Sequence, residues 1–134
     1  GGEPIRYYAG QYLNIVLPGG EHRSFSFATA PHENAEIELQ IRHIPGGEFT
    51  THVFEAMKPG DAIRFEGPLG SFFLREDSDK PIIFVAGATG FAPVQSMLEH
   101  ACRQGVVAAW HDERRLLPDE ATERGTGPLR DGLA

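Results

Sequence analysis

Arg23-Ser24-Phe25-Ser26 packs a cation, an aromatic ring and two hydroxyls into four consecutive residues. A guanidinium is a charged fork suited to phosphate oxygens. Side chains of an extended segment alternate between faces, so Arg23 and Phe25 share one face and Ser24 and Ser26 the other. One face could hold a pyrophosphate and cover a flat ring. A serine hydroxyl would reach the ring edge only through strand twist or a bulge. The same four residues also read as an ordinary half-buried strand. Two glycine motifs follow. Gly46-Gly47-Glu48-Phe49-Thr50 precedes a helical pattern, where glycine lets a ligand approach the backbone and free N–H groups attract phosphate; the plain alternative is a loop and a capped helix. Gly87-Ala88-Thr89-Gly90 lies between an apolar run and a second helical pattern. That order suits nucleotide binding, although a full G-x-G-x-x-G and a Walker lysine are both missing, and a simple strand-to-helix turn would read the same way.

Other chemistries find little support. A net charge of −7 argues against nucleic acid as partner. The single cysteine, Cys102, excludes an internal disulfide and a four-thiolate metal site within this chain. The histidines, at 22, 32, 43, 52, 100 and 111, show no ligand spacing, and no metal site is expected. No Ser/His/Asp or paired-carboxylate constellation is visible. No signal peptide or membrane-length apolar run is visible, so the expected location is the cytoplasm, with no membrane partner.

The elements that must position these residues follow from periodicity and turn chemistry. Leu13, Ile15 and Leu17 alternate with Tyr12, Asn14 and Val16 as a strand, which Pro18-Gly19-Gly20 stops. The Arg23–Ser26 strand comes next. Ile37, Leu39 and Ile41 alternate with charged and polar residues, predicting a third strand with one wet face. Residues 50–58 predict a short helix with Phe49, Val53, Phe54 and Met57 on its apolar side. Residues 62–66 and 71–74 predict two more strands around a Gly67-Pro68-Leu69-Gly70 turn. Short strands with one helix imply a mainly β, antiparallel barrel. Residues 81–86 then form a continuous apolar run, as in a strand buried on both faces of a parallel sheet, followed by a helix over 91–102 with Pro93 in its first turn. This reads as the first strand–loop–helix of an α/β domain. The expected division is a barrel over 1–76, the start of a nucleotide domain over 77–102, and a tail over 103–134 whose charge- and glycine-rich composition predicts disorder. The chain opens on Gly1-Gly2, so a fragment or a processed terminus is expected.

Taken in order, Ala9-Gly10-Gln11-Tyr12, Arg23–Ser26, Ile41-Arg42-His43, Gly47-Glu48-Phe49-Thr50, Phe65–Phe73 and Gly87–Pro93 resemble the ferredoxin–NADP⁺ reductase superfamily. The resemblance is nearest its iron–sulfur flavoprotein reductases, of the phenol-hydroxylase and CDP-6-deoxy-hexoseen types. It implies a six-stranded FAD barrel, here lacking its first strand, followed by a pyridine-nucleotide domain. Arg23 would neutralise the FAD pyrophosphate, Phe25 would pack on the flavin beside Ser24, and Ser26 would act at flavin N5 as the catalytic hydrogen-bonding group. Ile41, Arg42 and His43 would line the flavin with backbone groups. Gly47, Glu48, Phe49 and Thr50 would bind pyrophosphate. Gly87, Ala88, Thr89, Gly90 and Phe91 would meet NADH or NADPH. Electrons would pass from NAD(P)H through FAD to a 2Fe–2S centre on an absent module, or to a partner oxygenase or dehydratase. Phe25 stands where tyrosine is common and Ala88 where glycine is usual. The alternatives are a truncated flavin-binding module without turnover, or a barrel that holds no cofactor.

Overall fold

A computed structural model of the chain describes residues 3–33 and 35–105. Three antiparallel strands form its sheet: β1 (Tyr12–Val16), β2 (His22–Ser26) and β3 (Phe65–Leu69), in the order β2-β1-β3. The alternation of β1 is realised as expected, with Leu13 and Ile15 buried and their neighbours half-buried. The β1–β2 connection is the predicted glycine turn. Gly20 takes a positive φ of 85°, and Leu17 N–H donates to the Glu21 carbonyl at 2.8 Å.

The remaining predicted strands behave differently. Ile37, Leu39 and Ile41 do turn inward and pack on the core, while Glu36, Glu38 and Arg42 are less enclosed. Yet among the described residues this segment forms no ladder: it meets the extension of β2 through a Phe27–Leu39 bridge, an Ala28 N–H to Glu38 carbonyl bond and the Thr29 hydroxyl, which accepts from Glu38 N–H at 2.7 Å. Periodicity reports which face is apolar, and says nothing of whether a ladder closes. The 62–66 strand is displaced: β3 runs through Gly67-Pro68, the residues read as a turn. There the β1–β3 register shifts, with Tyr12 opposite Leu69 and Asn14 opposite Glu66, so β3 carries one extra residue. A Cβ at Gly67 would lie 3.0 Å from the Leu13 Cβ, which is why the bulge takes glycine. Residues 71–74 form no strand and are held by a Leu74 N–H to Ala9 carbonyl bond. The sheet is therefore open over the described residues, as part of a barrel.

Two helices complete the frame. The first, α1 (Glu48–Thr51), continues as a π-helical turn over His52–Ala56, marked by the Met57 N–H to His52 carbonyl bond. The core unites Tyr7, Leu13, Ile15, Phe27 and Phe49, with the Tyr7 and Phe27 rings stacked at 4.1 Å. Each such apolar side chain contributes about 1.5–3 kcal/mol by leaving water. The second helix, α2 (Phe91–Arg103), extends the predicted one by a residue and has Pro93 in its first turn. It buries Ala92, Val94, Ser96, Met97 and Ala101. The Met97 methyl closes on Gly10 and leaves no room for a Cβ there. The 81–86 run forms no sheet pairing among the described residues; Ile83 and Val85 are 88% and 91% exposed. The expected burial on both faces needs neighbouring strands, and the described residues supply none. The tail expectation lies, from residue 106 on, outside the described residues.

Candidate functional site

β2 presents the four residues of the first motif in regular pairing with β1: Leu13 opposite Phe25, Ile15 opposite Arg23, Asn14 opposite Ser24 and Tyr12 opposite Ser26. Arg23 and Phe25 thus share the face of Leu13 and Ile15, as alternation requires. Phe25 is half-buried against the core, its ring 5.6 Å from that of Phe49 on α1. Arg23 lies at the exposed end of this face. Its guanidinium donates to the His22 carbonyl at 3.0 Å and sits 3.7 Å from the Glu21 carboxylate. Such an exposed pair is worth little, so the cation is free to turn toward a stronger anion.

Ser24 points to the other face, where its hydroxyl donates to Asn14 Oδ1 at 2.6 Å. Ser26 ends the strand half-buried, and its hydroxyl has no partner among the described residues. No bulge turns a serine of β2 toward the Phe25 face, the irregularity lying in β3 instead, so of the two expected means strand twist is the one left to Ser26 at the strand end.

Ile41, Arg42 and His43 make no backbone hydrogen bonds to the chain among the described residues. Their donors and acceptors are thus available to a ligand. The segment is anchored on either side: Gln40 Nε2 donates to Gln95 Oε1 of α2 at 2.8 Å, and Ile44 N–H donates to Thr50 Oγ1 at 3.1 Å. Thr50 is buried, its hydroxyl within reach of the Ile44 and Gly47 carbonyls at 3.1 and 3.3 Å, so it folds the 44–47 loop onto α1. Gly47 is required by that fold, since a Cβ would meet Thr50 Oγ1 at 2.8 Å. Glu48 is exposed and Phe49 is a core residue.

The Gly87–Gly90 loop forms a 3₁₀ turn over Ala88–Gly90 that runs into Phe91 and α2. A Cβ at Gly87 or Gly90 would meet nothing within 4 Å, so the loop's outer surface is open. Ala88 adopts φ 47°, a left-handed conformation that explains why glycine would sit more easily there.

One connection escaped sequence reasoning. The Thr29 carbonyl, beyond the end of β2, accepts from Tyr7 Oη at 2.8 Å and from Ser96 Oγ at 2.7 Å. Ser96 is fully buried. This acceptor ties the end of the β2 segment to α2, and so to the loop at its start. The detectable signal was a serine one helical turn after Ala92, on the helix face that carries the buried side chains. Burial costs the Tyr7 hydroxyl its acidity: desolvation, then the nearby Glu99 carboxylate, push it up to about 12.

Residues 2–74 match the oxidoreductase FAD-binding domain family, and the chain belongs to it. The reductase resemblance of the motifs is thereby borne out, as is the flavin cofactor. The chain is 46% identical over 105 residues to the reductase component 1 of terephthalate 1,2-dioxygenase from Comamonas sp, covering 78% of this chain and 31% of that protein. It is 48% identical over 95 residues to the CDP-6-deoxy-L-threo-D-glycero-4-hexulose-3-dehydrase reductase of Yersinia pestis, covering 71% and 28%. In structure it is similar to phthalate dioxygenase reductase, described as modular for electron transfer from pyridine nucleotides to 2Fe–2S, with a TM-score of 0.64, 26% identity, and 78% and 33% of the two chains covered. The chain spans about a third of the length of these relatives.

The donor set fits FAD. It combines an exposed guanidinium held by a surface pair and a neighbouring carbonyl, a half-buried ring at Phe25 and, among the described residues, main-chain groups at 41–43 and a Ser26 hydroxyl without partners. No helix among the described residues is long and apolar enough to cross a membrane.

Proposed function

We propose that this chain is the flavin-binding part of an NAD(P)H-dependent reductase that passes electrons through FAD to an iron–sulfur centre or to a partner oxygenase or dehydratase. The observation that carries the reading is the β2 motif: Arg23 and Phe25 on one face, and at the strand end a Ser26 hydroxyl without a partner among the described residues. The reductase components and the dehydrase reductase among its relatives support the class of partner. Residues 1–76 hold the flavin and 77–102 open the nucleotide side; the cytoplasm suits a chain with one free thiol.

Hydride acceptance and single-electron release are chemistry that the bound flavin supplies. The chain's residues bind and orient. Arg23 turns from Glu21 to the pyrophosphate, where a charge-assisted pair is stronger. Phe25 covers one ring face and excludes water from it. Ser26 offers its hydroxyl at the ring edge, while Ser24 stays tied to Asn14 and stiffens the strand beside it. The main chain of Ile41, Arg42 and His43 lines the ring, and the Gly47–Thr50 turn, closed by the Thr50 hydroxyl, presents the N–H groups of Glu48 and Phe49 to phosphate. Gly87, Ala88, Thr89, Gly90 and Phe91 form the edge at which the nicotinamide nucleotide is received. No side-chain nucleophile is needed.

The test is the visible spectrum of the purified chain after FAD is added, followed by dye reduction with NADH and NADPH. Arg23→Ala should weaken FAD binding roughly ten- to a hundredfold, from a loss of about 1.5–3 kcal/mol. Equal affinities of the two chains, read by fluorescence quenching, would remove Arg23 from the site.

A further inference from the structure

The 41–43 segment owes its position to its flanks, because its own main-chain groups find no partners among the described residues. Leu39 and Ile41 pack on the barrel core, so Gln40 between them points the other way. There it meets α2. Gln40 Nε2 donates to Gln95 Oε1 at 2.8 Å, and both side chains are half-buried. Gln95 in turn donates through Nε2 to the Glu99 carboxylate, one helical turn on, at 3.1 Å. That carboxylate fixes the direction of the chain. It only accepts, so the Gln95 amide must present its nitrogen to Glu99 and its oxygen to Gln40. At the far end of the segment the His43 ring lies 5.1 Å from that of Phe54. This is a weaker hold, since Phe54 is 56% exposed: the π-helical turn over His52–Ala56 rotates it out of the apolar side that periodicity predicts. Gln95 also stands one turn, about 6 Å of helix axis, after Phe91 of the nucleotide-side loop. One side chain thus meets the residue next to the flavin-lining backbone and rides on the helix that begins at that loop.

We propose, resting on the flavin reading above, that Gln95 is a positioning residue that sets the separation of the two halves of the site. It acts through Gln40 on the main chain of 41–43, and through α2 on the 87–91 loop. The neighbouring ties of α2 go elsewhere: Met97 closes on Gly10, and Ser96 donates to the Thr29 carbonyl. An aliphatic pair could fill the same space, but it could also slide. Two amides joined head to tail and locked by a carboxylate have one register. FAD bound along 41–43 is therefore felt at the start of α2, where the nicotinamide nucleotide is received.

The experiment follows amide hydrogen exchange in the full chain, with and without saturating FAD. The chains are wild type, Gln40→Leu, Gln95→Leu and the exchanged pair Gln95→Glu with Glu99→Gln. In wild type, FAD should slow exchange both at 40–44 and at 87–99. In either leucine variant the slowing at 40–44 should remain, and the slowing at 87–99 should fall by about two- to twelvefold, the range set by one neutral hydrogen bond. In the exchanged pair the carboxylate at 95 accepts from Gln40 and from the new amide at 99, so the wild-type pattern should return. A variant that merely loosens the fold speeds exchange with and without FAD alike. That result, or an unchanged FAD effect at 87–99 in both leucine variants, overturns the inference and leaves the flavin reading in place. So does a wild type in which FAD slows 40–44 alone, or an exchanged pair that restores nothing. A wild type that binds no FAD refutes the proposed function and this inference with it.

Discussion

Removing both hydroxyls from the Thr29 carbonyl should cost more than the sum of removing each. Tyr7 Oη and Ser96 Oγ donate to that one oxygen at 2.8 and 2.7 Å, and no backbone N–H among the described residues competes for it. In Tyr7→Phe or Ser96→Ala the carbonyl keeps its other donor, so each change should cost about 0.5–1.5 kcal/mol, the net worth of one neutral hydrogen bond. In the double variant the oxygen loses both donors, and leaving it unsatisfied in a part-buried place adds roughly 1–3 kcal/mol. Urea unfolding of the four chains, followed by circular dichroism, gives the cycle directly. A coupling of about 1 kcal/mol or more is expected. Additivity within about 0.5 kcal/mol, the behaviour of independent sites, would refute the shared acceptor and with it the tie between the β2 segment and α2.

Three further outcomes follow from single residues. The Tyr7 hydroxyl, raised to about 12 first by burial and then by Glu99, keeps its proton in the folded chain while the unfolded chain loses it near 10. Its stabilisation is therefore complete below about pH 10 and falls by roughly 2–3 kcal/mol as pH rises to about 12; the advantage of wild type over Tyr7→Phe in urea midpoint should shrink and then change sign over that window, and a constant difference would contradict it. Gly10→Ala should destabilise by at least about 2 kcal/mol, because Gly10 has φ 107° and a Cβ would lie 2.5 Å from the Phe72 carbonyl oxygen, a backbone atom that cannot swing aside; a thermal midpoint equal to wild type would show that the 8–11 turn rearranges. Ala88→Gly removes a left-handed cost of about 1–2 kcal/mol and adds about 0.5–1 kcal/mol of chain entropy, so unfolding should show no loss and up to about 1.5 kcal/mol of gain, whereas a clear loss would mean that the Ala88 methyl is in use.

Much of the local geometry of the candidate site was legible in the chain. Alternation placed Arg23 with Phe25 and Leu13 with Ile15, because the side-chain period of a strand is set by backbone geometry and needs no partner. Turn chemistry marked the Gly20 and Gly46 positions, since only glycine enters positive φ at no cost there. The α2 span was legible for the same kind of reason, as a local pattern with Pro93 at its start. What the chain could not show were facts that depend on residues far apart in sequence. Whether the 37–41 segment completes a ladder, and whether 81–86 is covered, depends on neighbours that periodicity does not name. The β3 bulge places Gly67-Pro68 inside a strand because Leu13 packs against it, and Thr50 proved a clasp for its own loop because Ile44 lies over it. Thr29 became the acceptor for two hydroxyls, 22 residues before it and 67 after it, only once the chain had folded. Local residues decide which conformations a segment can take; long-range packing decides which polar groups find partners and which aromatic rings are left facing water.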